Sequence, residues 1–330
     1  MVEEIFTRNK YTMAPYYISK ILSLIAGLTL SIGPRRLKGY LRKYKWLSRP
    51  GQERAFMSDM FKHRSLEYQQ GMFEMMCFFM RYLATTLKRA THEPEKVVWH
   101  EDLVPPEILH AMGLVPFCVE GTGIMLPGLN SDLTEYFIDV AENSGYPGDI
   151  CSLPKSTLGL VMEDQFPPPI AIITSNSPCD GGMASYMPIE EKMNVPVFRL
   201  DLPYNFTQNR AQSYCIKEVK RMIEFLENLT GEKLDYLRLK EVCEERNRAY
   251  EYTLDTWDML KQKPAPIGSE VLFFSHLCYP LYGGAKETTD LMKNIRNIAR
   301  RVVKRNGAAI PNEKHRVILW NPHPLIFPEV

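Results

Sequence analysis

The sequence predicts an α/β fold in which helices cover both faces of a parallel, doubly wound sheet. Residues 169–174 form a continuous run that is rich in β-branched side chains, as expected of a strand buried on both faces. Residues 195–200 have the same character. Helical patterns alternate with these and other strand-like segments between residues 93 and 208, and such alternation is typical of a doubly wound sheet.

The elements of this domain follow one another in a regular order. Residues 97–99 and 115–117 predict two short buried strands. Between them, Pro106 in the first turn and Gly113 after the last turn delimit a short helix, because proline suits a helix start and glycine a helix end. A turn rich in glycine and proline at residues 146–149 then leads into a helix that begins at Ser152.

Helical patterns flank the predicted domain on both sides. Residues 1–92 contain apolar residues at helical spacing and are predicted to form a helical region. Residues 209–268 are predicted to be a helical connector. Residues 269–330 are expected to begin a second α/β domain whose first strand is 316–320, and the sequence ends before that domain is complete.

The composition is that of an ordinary globular protein, with 45% hydrophobic residues, 24% charged residues and a net charge of +1. This balance gives no electrostatic reason to expect a nucleic acid or membrane partner. The apolar run at residues 21–30 is shorter than the ~20 residues that a membrane-spanning helix needs. We recognise no secretory signal, so we expect a cytoplasmic protein whose cysteines are free, catalytic or metal-bound.

Three of the seven cysteines follow strand-like or turn-like segments: Cys118, Cys151 and Cys179. Ligands gather beyond the carboxyl ends of parallel strands, so thiolates there can converge on one metal site. An iron–sulfur centre is therefore the first hypothesis, and buried structural thiols are the alternative. The other four cysteines have different predicted roles. Three are predicted core residues: Cys77, Cys215 and Cys243. Cys278 is a weaker ligand candidate.

Several segments, taken in order and spacing, match a known family. The main ones are VPPEILHAMGLVP at residues 104–116, CSLPKS at 151–156 and PCDG at 178–181, supported by ERNR at 245–248, PAPIG at 264–268 and RVILW at 316–320. On these motifs the chain resembles the 2-hydroxyacyl-CoA dehydratase family, which includes benzoyl-CoA reductase subunits. The resemblance runs from about Lys96 to the end of the sequence.

The resemblance implies a subunit with two Rossmann-like domains around a [4Fe–4S] cluster held by three thiolates. Two of these ligands match Cys118 and Cys151. The third normally comes from the second domain, beyond the end of this sequence, and Cys179 is the candidate to replace it. The family also implies an acyl-CoA substrate, a second homologous subunit and an activator protein that hydrolyses ATP and carries an iron–sulfur cluster.

The implied chemistry is a radical elimination of water from a 2-hydroxyacyl-CoA. The activator delivers one electron, and the cluster passes it to the thioester carbonyl to give a ketyl radical. That radical expels the 2-hydroxyl, loses a proton from C3 and returns the electron. Related branches reduce an aromatic acyl-CoA or use a double-cubane cluster, and a non-catalytic partner subunit is the alternative from another class.

The resemblance also suggests roles for four further residues. Glu107 is the candidate for proton handling, although a carboxylate in the first helical turn is also favoured by the helix dipole alone. Ser152 is assigned to catalysis with Glu107, because its hydroxyl and that of Ser156 could donate hydrogen bonds to cluster sulfurs. Lys155 and Ser156 are assigned to cofactor binding, with Lys155 meeting a CoA phosphate or a thiolate.

Overall fold

The structure is a computed structural model of the chain. It describes residues 84–121, 123, 131–177, 179–310 and 312–317, together with Tyr68 and Met75. The apolar run at 21–30, Cys77 and most of the predicted N-terminal helical region lie outside the described residues. Residues 84–92 are helical, in agreement with that prediction.

Four parallel strands form the sheet in the order β2-β1-β3-β4. They are β1 (Val97–His100), β2 (Val115–Cys118), β3 (Ala171–Ser175) and β4 (Val197–Leu200). This confirms the predicted parallel α/β fold. The chain first winds from β1 to β2 on one side and then to β3 and β4 on the other, so β1 and β3 flank the point where the winding direction changes. Ligand sites of open parallel sheets lie at the carboxyl ends of strands at this point.

Helices cover both faces of the sheet. Because successive side chains of a strand point to opposite faces, Val97 and Trp99 pack in one apolar core and Val98 packs in another. The first core also contains side chains from α2 (Ser131–Asn143), α3 (Ser152–Met162) and α4 (Asp180–Met193). The second contains side chains from α1 (Pro106–Ala111) and α5 (Ala211–Thr230).

The helices α2 and α3 pack closely at Gly159. A Cβ atom at this position would lie 1.9 Å from the carbonyl oxygen of Phe137 on α2. That distance is far inside van der Waals contact with a backbone atom, so only glycine allows the two helices to approach in this way. This packing holds the start of α3, and with it Cys151, in a fixed position beside the sheet.

Three more helices form a separate layer with its own apolar core: α6 (Tyr236–Met259), α7 (Ser269–Tyr282) and α8 (Lys286–Lys304). Cys118 at the end of β2 contributes to that core, so the helical layer reaches the carboxyl end of the sheet. We call α6, α7 and α8 the helical layer.

The predicted strand at residues 316–320 is not observed at its first two positions. Arg316 and Val317 lie in no strand, and the other three residues lie outside the described part of the chain. The guanidinium of Arg316 pairs with Glu313 and donates a hydrogen bond of 2.9 Å to the carbonyl oxygen of Gln262. These contacts fix this segment against the end of α6 rather than in a sheet.

The long helices begin and end at residues suited to those positions. Asp235 caps α6, since its carboxylate accepts hydrogen bonds from the N–H groups of Leu237 and Arg238. Gly231 follows α5 with a positive φ of 75°. Within the described residues, no helix is both long enough and apolar enough to cross a membrane.

Candidate functional site

Three carboxylates converge at the carboxyl end of the sheet. Glu101 and Asp102 follow β1 directly, and Glu120 comes two residues after the end of β2. One carboxylate oxygen of each residue lies within 4.8 Å of the others. We call Glu101, Asp102 and Glu120 the carboxylate cluster. The sequence analysis missed it, although acidic residues directly after two neighbouring strands were the available signal.

Glu101 is the most deeply buried member of the carboxylate cluster, with no exposed surface. Its Oε2 accepts a hydrogen bond of 2.5 Å from the N–H group of Ser175 and one of 3.5 Å from the hydroxyl of Thr174. Its Oε1 has no hydrogen-bond partner among the described residues. Burial raises the pKa of Glu101 to about 7, although the hydrogen bonds from Ser175 lower it, and the charge of Asp102 adds to the increase.

Glu120 and Tyr186 lie beside it. The Oε2 of Glu120 accepts a hydrogen bond of 3.2 Å from the N–H group of Asp102. Burial, together with the charges of Glu101 and Asp102, raises the pKa of Glu120 to about 8. The hydroxyl of Tyr186 is buried without a described hydrogen-bond partner. Burial, followed by the charge of Glu120, raises the pKa of Tyr186 well above its usual value, so its hydroxyl lies near the carboxylate cluster.

The three cysteines predicted as metal ligands all lie at this end of the sheet. Cys118 ends β2 and is buried, whereas Cys151 and Cys179 are exposed and immediately precede α3 and α4. Burial, and then the charges of Glu120 and Asp102, raise the pKa of Cys118 well above its usual value. The sulfur of Cys179 accepts a hydrogen bond of 3.4 Å from the N–H group of Gly182.

Two neighbours show how the structure brings these groups together. Burial, and then the charges of Cys179 and Cys151, raise the pKa of Tyr146 above its usual value. A Cβ atom at Gly182 would lie 3.7 Å from the sulfur of Cys179 and 3.4 Å from Oε1 of Glu120. Cys179 therefore borders the carboxylate cluster.

The donor set suits the group that the sequence resemblance implies. A [4Fe–4S] cluster is held by cysteine thiolates, and Cys151 and Cys179 immediately precede the helices α3 and α4. The buried thiol of Cys118 keeps its proton until a metal replaces it, because metal binding and thiol deprotonation are coupled. Three cysteines therefore lie at one end of the sheet, and their role as ligands of such a cluster remains a prediction.

Glu107 lies elsewhere, in the interface between α1 and the helical layer. It is buried in the first turn of α1, and its Oε1 forms an ion pair with the guanidinium of Arg246 on α6. Arg246 in turn lies 5.4 Å from the ring centre of Tyr250, which stacks on Tyr279 at 4.2 Å. The Oε2 of Glu107 has no hydrogen-bond partner among the described residues. Its predicted role in proton handling remains a prediction.

The three predicted residues of α3 make different contacts. The ammonium group of Lys155 is buried and donates hydrogen bonds to Glu142 at 2.6 Å and to the carbonyl of Gly148 at 2.8 Å. It therefore anchors the turn that precedes Cys151. The buried hydroxyl of Ser156 donates to the carbonyl of Leu153, and Ser152 is half-buried at the first position of α3. Their roles toward a cofactor or a substrate remain predictions.

Comparison with known proteins identifies similar chains. A family model described as 2-hydroxyglutaryl-CoA dehydratase, D-component matches residues 103–328. The alpha subunit of (R)-phenyllactyl-CoA dehydratase from Clostridium sporogenes is 26% identical over 243 residues, which cover 70% of this chain and 58% of that protein. The alpha subunit of lactoyl-CoA dehydratase from Anaerotignum propionicum is 22% identical over 222 residues, with coverages of 61% and 52%.

A benzoyl-CoA reductase subunit from Thauera aromatica is also similar, with 22% identity over 205 residues that cover 55% of this chain and 46% of that protein. The matched regions span about half the length of these curated relatives. The similarity thus extends to subunits of both dehydratases and a reductase.

Proposed function

The chain belongs to the 2-hydroxyglutaryl-CoA dehydratase D-component family, and from this premise we propose that it is the iron–sulfur subunit of a 2-hydroxyacyl-CoA dehydratase. The proposed reaction removes water from a 2-hydroxyacyl-CoA after activation by one electron. The proposed partners are a second homologous subunit and an ATP-hydrolysing iron–sulfur activator. The names of the similar dehydratase subunits support this substrate class.

The observation that carries this proposal is the position of three cysteines at the carboxyl end of the sheet. Cys118 and Cys151 would hold a [4Fe–4S] cluster, with Cys179 as the candidate third ligand. Such a cluster supplies low-potential electron transfer to the substrate thioester. The protein contributes the ligands, their spacing and a site from which water is excluded.

Two hydrogen-bonded contacts would keep the exposed thiols at a fixed spacing. The hydroxyl of Tyr146 donates a hydrogen bond of 3.2 Å to the carbonyl of Gly181, which ties the turn before Cys151 to the start of α4. Lys155 anchors the same turn to α2 through Glu142. For proton transfer, the buried Oε2 of Glu107 has no described partner, and it is the carboxylate atom that could accept a proton from the substrate.

A second candidate function is reduction of an aromatic acyl-CoA, and the similarity to the benzoyl-CoA reductase subunit favours it. A reductase with a double-cubane cluster is a variant of this candidate. A non-catalytic partner subunit is the candidate from another class. It would contain no iron, whereas both enzyme candidates require it.

Iron and sulfide analysis with EPR spectroscopy, after anaerobic purification, tests the metal assignment. We expect about four irons per chain in the wild type and a loss of iron and of the EPR signal in Cys151→Ala. The matched control is Cys215→Ala, which removes a half-buried cysteine on α5 and is expected to retain the iron. Iron-free protein after anaerobic reconstitution, or full iron in Cys151→Ala, would contradict the assignment.

A substrate assay distinguishes the two enzyme candidates. The chain, its partner subunit, the activator and ATP are incubated with a 2-hydroxyacyl-CoA or with benzoyl-CoA. We expect an enoyl-CoA from the hydroxy substrate and unchanged benzoyl-CoA. Ring reduction without dehydration would instead support the reductase.

A further inference from the structure

No basic side chain among the described residues pairs with the two glutamates of the carboxylate cluster. The carboxylate groups of Glu101 and Glu120 form no ion pair and no hydrogen bond with the side chain of a described lysine, arginine or histidine. Among the described residues, no basic side chain is one of the main causes of the pKa shift of either group. Carboxylates that lie within 4.8 Å of one another in a partly buried site repel each other strongly. Such a site is stabilised by a cation or by shared protons.

The hydrogen bonds around the carboxylate cluster leave one oxygen of each glutamate available on the same side. The Oε2 atoms of Glu101 and Glu120 accept hydrogen bonds from the N–H groups of Ser175 and Asp102. A Cβ atom at Gly182 would lie 3.6 Å from Oε1 of Glu101 and 3.4 Å from Oε1 of Glu120. Both Oε1 atoms therefore border the space beside Gly182. Backbone donors that orient one carboxylate oxygen while the other remains available are typical of the surroundings of a metal site.

Tyr186 provides an independent observation that points to a ligand. Its side chain is 1% exposed, and its hydroxyl has no described hydrogen-bond partner, which is unfavourable for a buried polar group. The charges of Glu120, Glu101 and Asp102 all act on this hydroxyl. A water molecule bound to a cation at the carboxylate cluster would provide the partner that the hydroxyl lacks.

We propose that Glu101, Asp102 and Glu120 bind one hard divalent cation of the Mg²⁺ or Mn²⁺ class. Three carboxylates offer only oxygen ligands, which these cations prefer, and such sites usually retain bound water. The proposed ligands are the carboxylates and not the neighbouring thiols of Cys118 and Cys179, because softer sulfur ligands select other metals. The inference does not depend on the proposed dehydratase function.

Binding of Mn²⁺ to the full chain, followed by EPR through the loss of the free-ion signal, tests this proposal. We expect one Mn²⁺ per chain, displaced by Mg²⁺. Glu101→Gln and Glu120→Gln are each expected to weaken binding at least about 100-fold, since even outer partners of metal ligands contribute about 10- to 100-fold. Glu191→Gln on α4 removes the same charge from an exposed position and should keep the wild-type affinity.

Tyr186→Phe is a second test that leaves the three carboxylates in place. It removes only the hydroxyl, and we expect Mn²⁺ binding about tenfold weaker through the lost contact to bound water. Thermal melting without metal identifies any variant that fails to fold, and the remaining variants then decide the outcome.

Three results would overturn the proposal. The first is wild-type Mn²⁺ affinity in both glutamine variants. The second is loss of Mn²⁺ binding in Cys151→Ala but not in Glu101→Gln, which would place the ion at the thiols. The third is the absence of Mn²⁺ binding by the wild type, with higher thermal stability of the glutamine variants, which would show that the carboxylates share protons. None of these results bears on whether the cysteines hold iron, which the iron analysis decides separately.

Discussion

Two buried glutamates that are close in sequence lie in contrasting environments. Glu107, at the interface with the helical layer, pairs with the guanidinium of Arg246. Glu101, at the carboxyl end of the sheet, accepts hydrogen bonds from Ser175 and Thr174 but contacts no cationic side chain among the described residues. The carboxylate of Glu107 is thus paired with a cation where two layers pack. The carboxylate of Glu101, at the end of the sheet, has no such partner among the described residues, and we propose that a ligand occupies that position.

His100, which precedes Glu101, is also a buried titratable residue that pairs with no oppositely charged side chain among the described residues. His100 is fully buried, and its Nδ1 donates a hydrogen bond of 2.8 Å to the carbonyl of Glu101, while its Nε2 has no described partner. Burial lowers the pKa of His100 to about 4. Because burial disfavours the imidazolium and no described anionic side chain pairs with it, we expect a neutral ring in the folded protein at pH 7. The stability of the carboxyl end of the sheet is therefore expected to respond to pH.

The largest expected effect is a loss of stability on acidification caused by His100. The ordinary histidine pKa is 6.5 and the folded-state value is about 4, so the unfolded chain takes up the proton first. The contribution to stability is fully present above pH 6.5 and is lost as the pH falls through about 4. It amounts to roughly 3 kcal/mol between pH 7 and pH 4.

Urea denaturation of the wild type and of His100→Gln between pH 4 and pH 7 measures this effect. Glutamine does not titrate in this range. The difference in the free energy of unfolding between the two proteins should therefore change by roughly 3 kcal/mol between pH 7 and pH 4. His92→Gln, which removes an imidazole from an exposed position, is the matched control. A constant difference for His100→Gln across this range would contradict the buried, neutral state of the ring.

The second-largest expected effect comes from removing the guanidinium that pairs with Glu107, which leaves Glu107, like Glu101, without a cationic partner among the described residues. Arg246→Met leaves the buried carboxylate without its ion pair, and we expect a loss of about 2 kcal/mol in the free energy of unfolding. This is below the ~3–5 kcal/mol typical of fully buried pairs because the side chain of Arg246 is 32% exposed. Urea denaturation measures it.

The double variant Glu107→Gln/Arg246→Met is the control for this prediction. It removes the charge as well as its partner, and we expect it to recover most of the lost stability. Equal destabilisation of the single and double variants would show that Arg246 acts through packing on Tyr250 rather than through the charge of Glu107.

The sequence predicted the fold because its signals are local. Continuous apolar segments predicted all four strands, and Gly113, with a φ of 72°, ends α1 as expected. The strand prediction at residues 316–320 relied on the same kind of apolar pattern. That pattern does not reveal that Arg316 binds the carbonyl groups at the end of α6.

The site was predictable only in part, because its contacts join residues distant in sequence. The position of the cysteines follows from strand order, since each comes after a strand or before a helix. The pairing of Glu107 with Arg246 spans 139 residues, and no periodicity or local motif indicates it. Glu101 and Glu120 come together only because β1 and β2 are neighbours in the sheet. Likewise, Lys155 was predicted to meet a cofactor, and no local pattern indicates its contact with Glu142.

The smallest expected effect distinguishes the role of burial from that of pairing. Lys261, just beyond the end of α6, forms an ion pair with Asp258 in its last turn, and the two side chains are 80% and 71% exposed. Water solvates both charges when the pair is broken, so Lys261→Gln should change the free energy of unfolding by less than about 0.5 kcal/mol. Urea denaturation at low and high salt measures it beside Arg246→Met. A loss comparable to that of Arg246→Met would mean that pairing alone, irrespective of burial, stabilises the helical layer, and the contrast between Glu101 and Glu107 would then lose its physical basis.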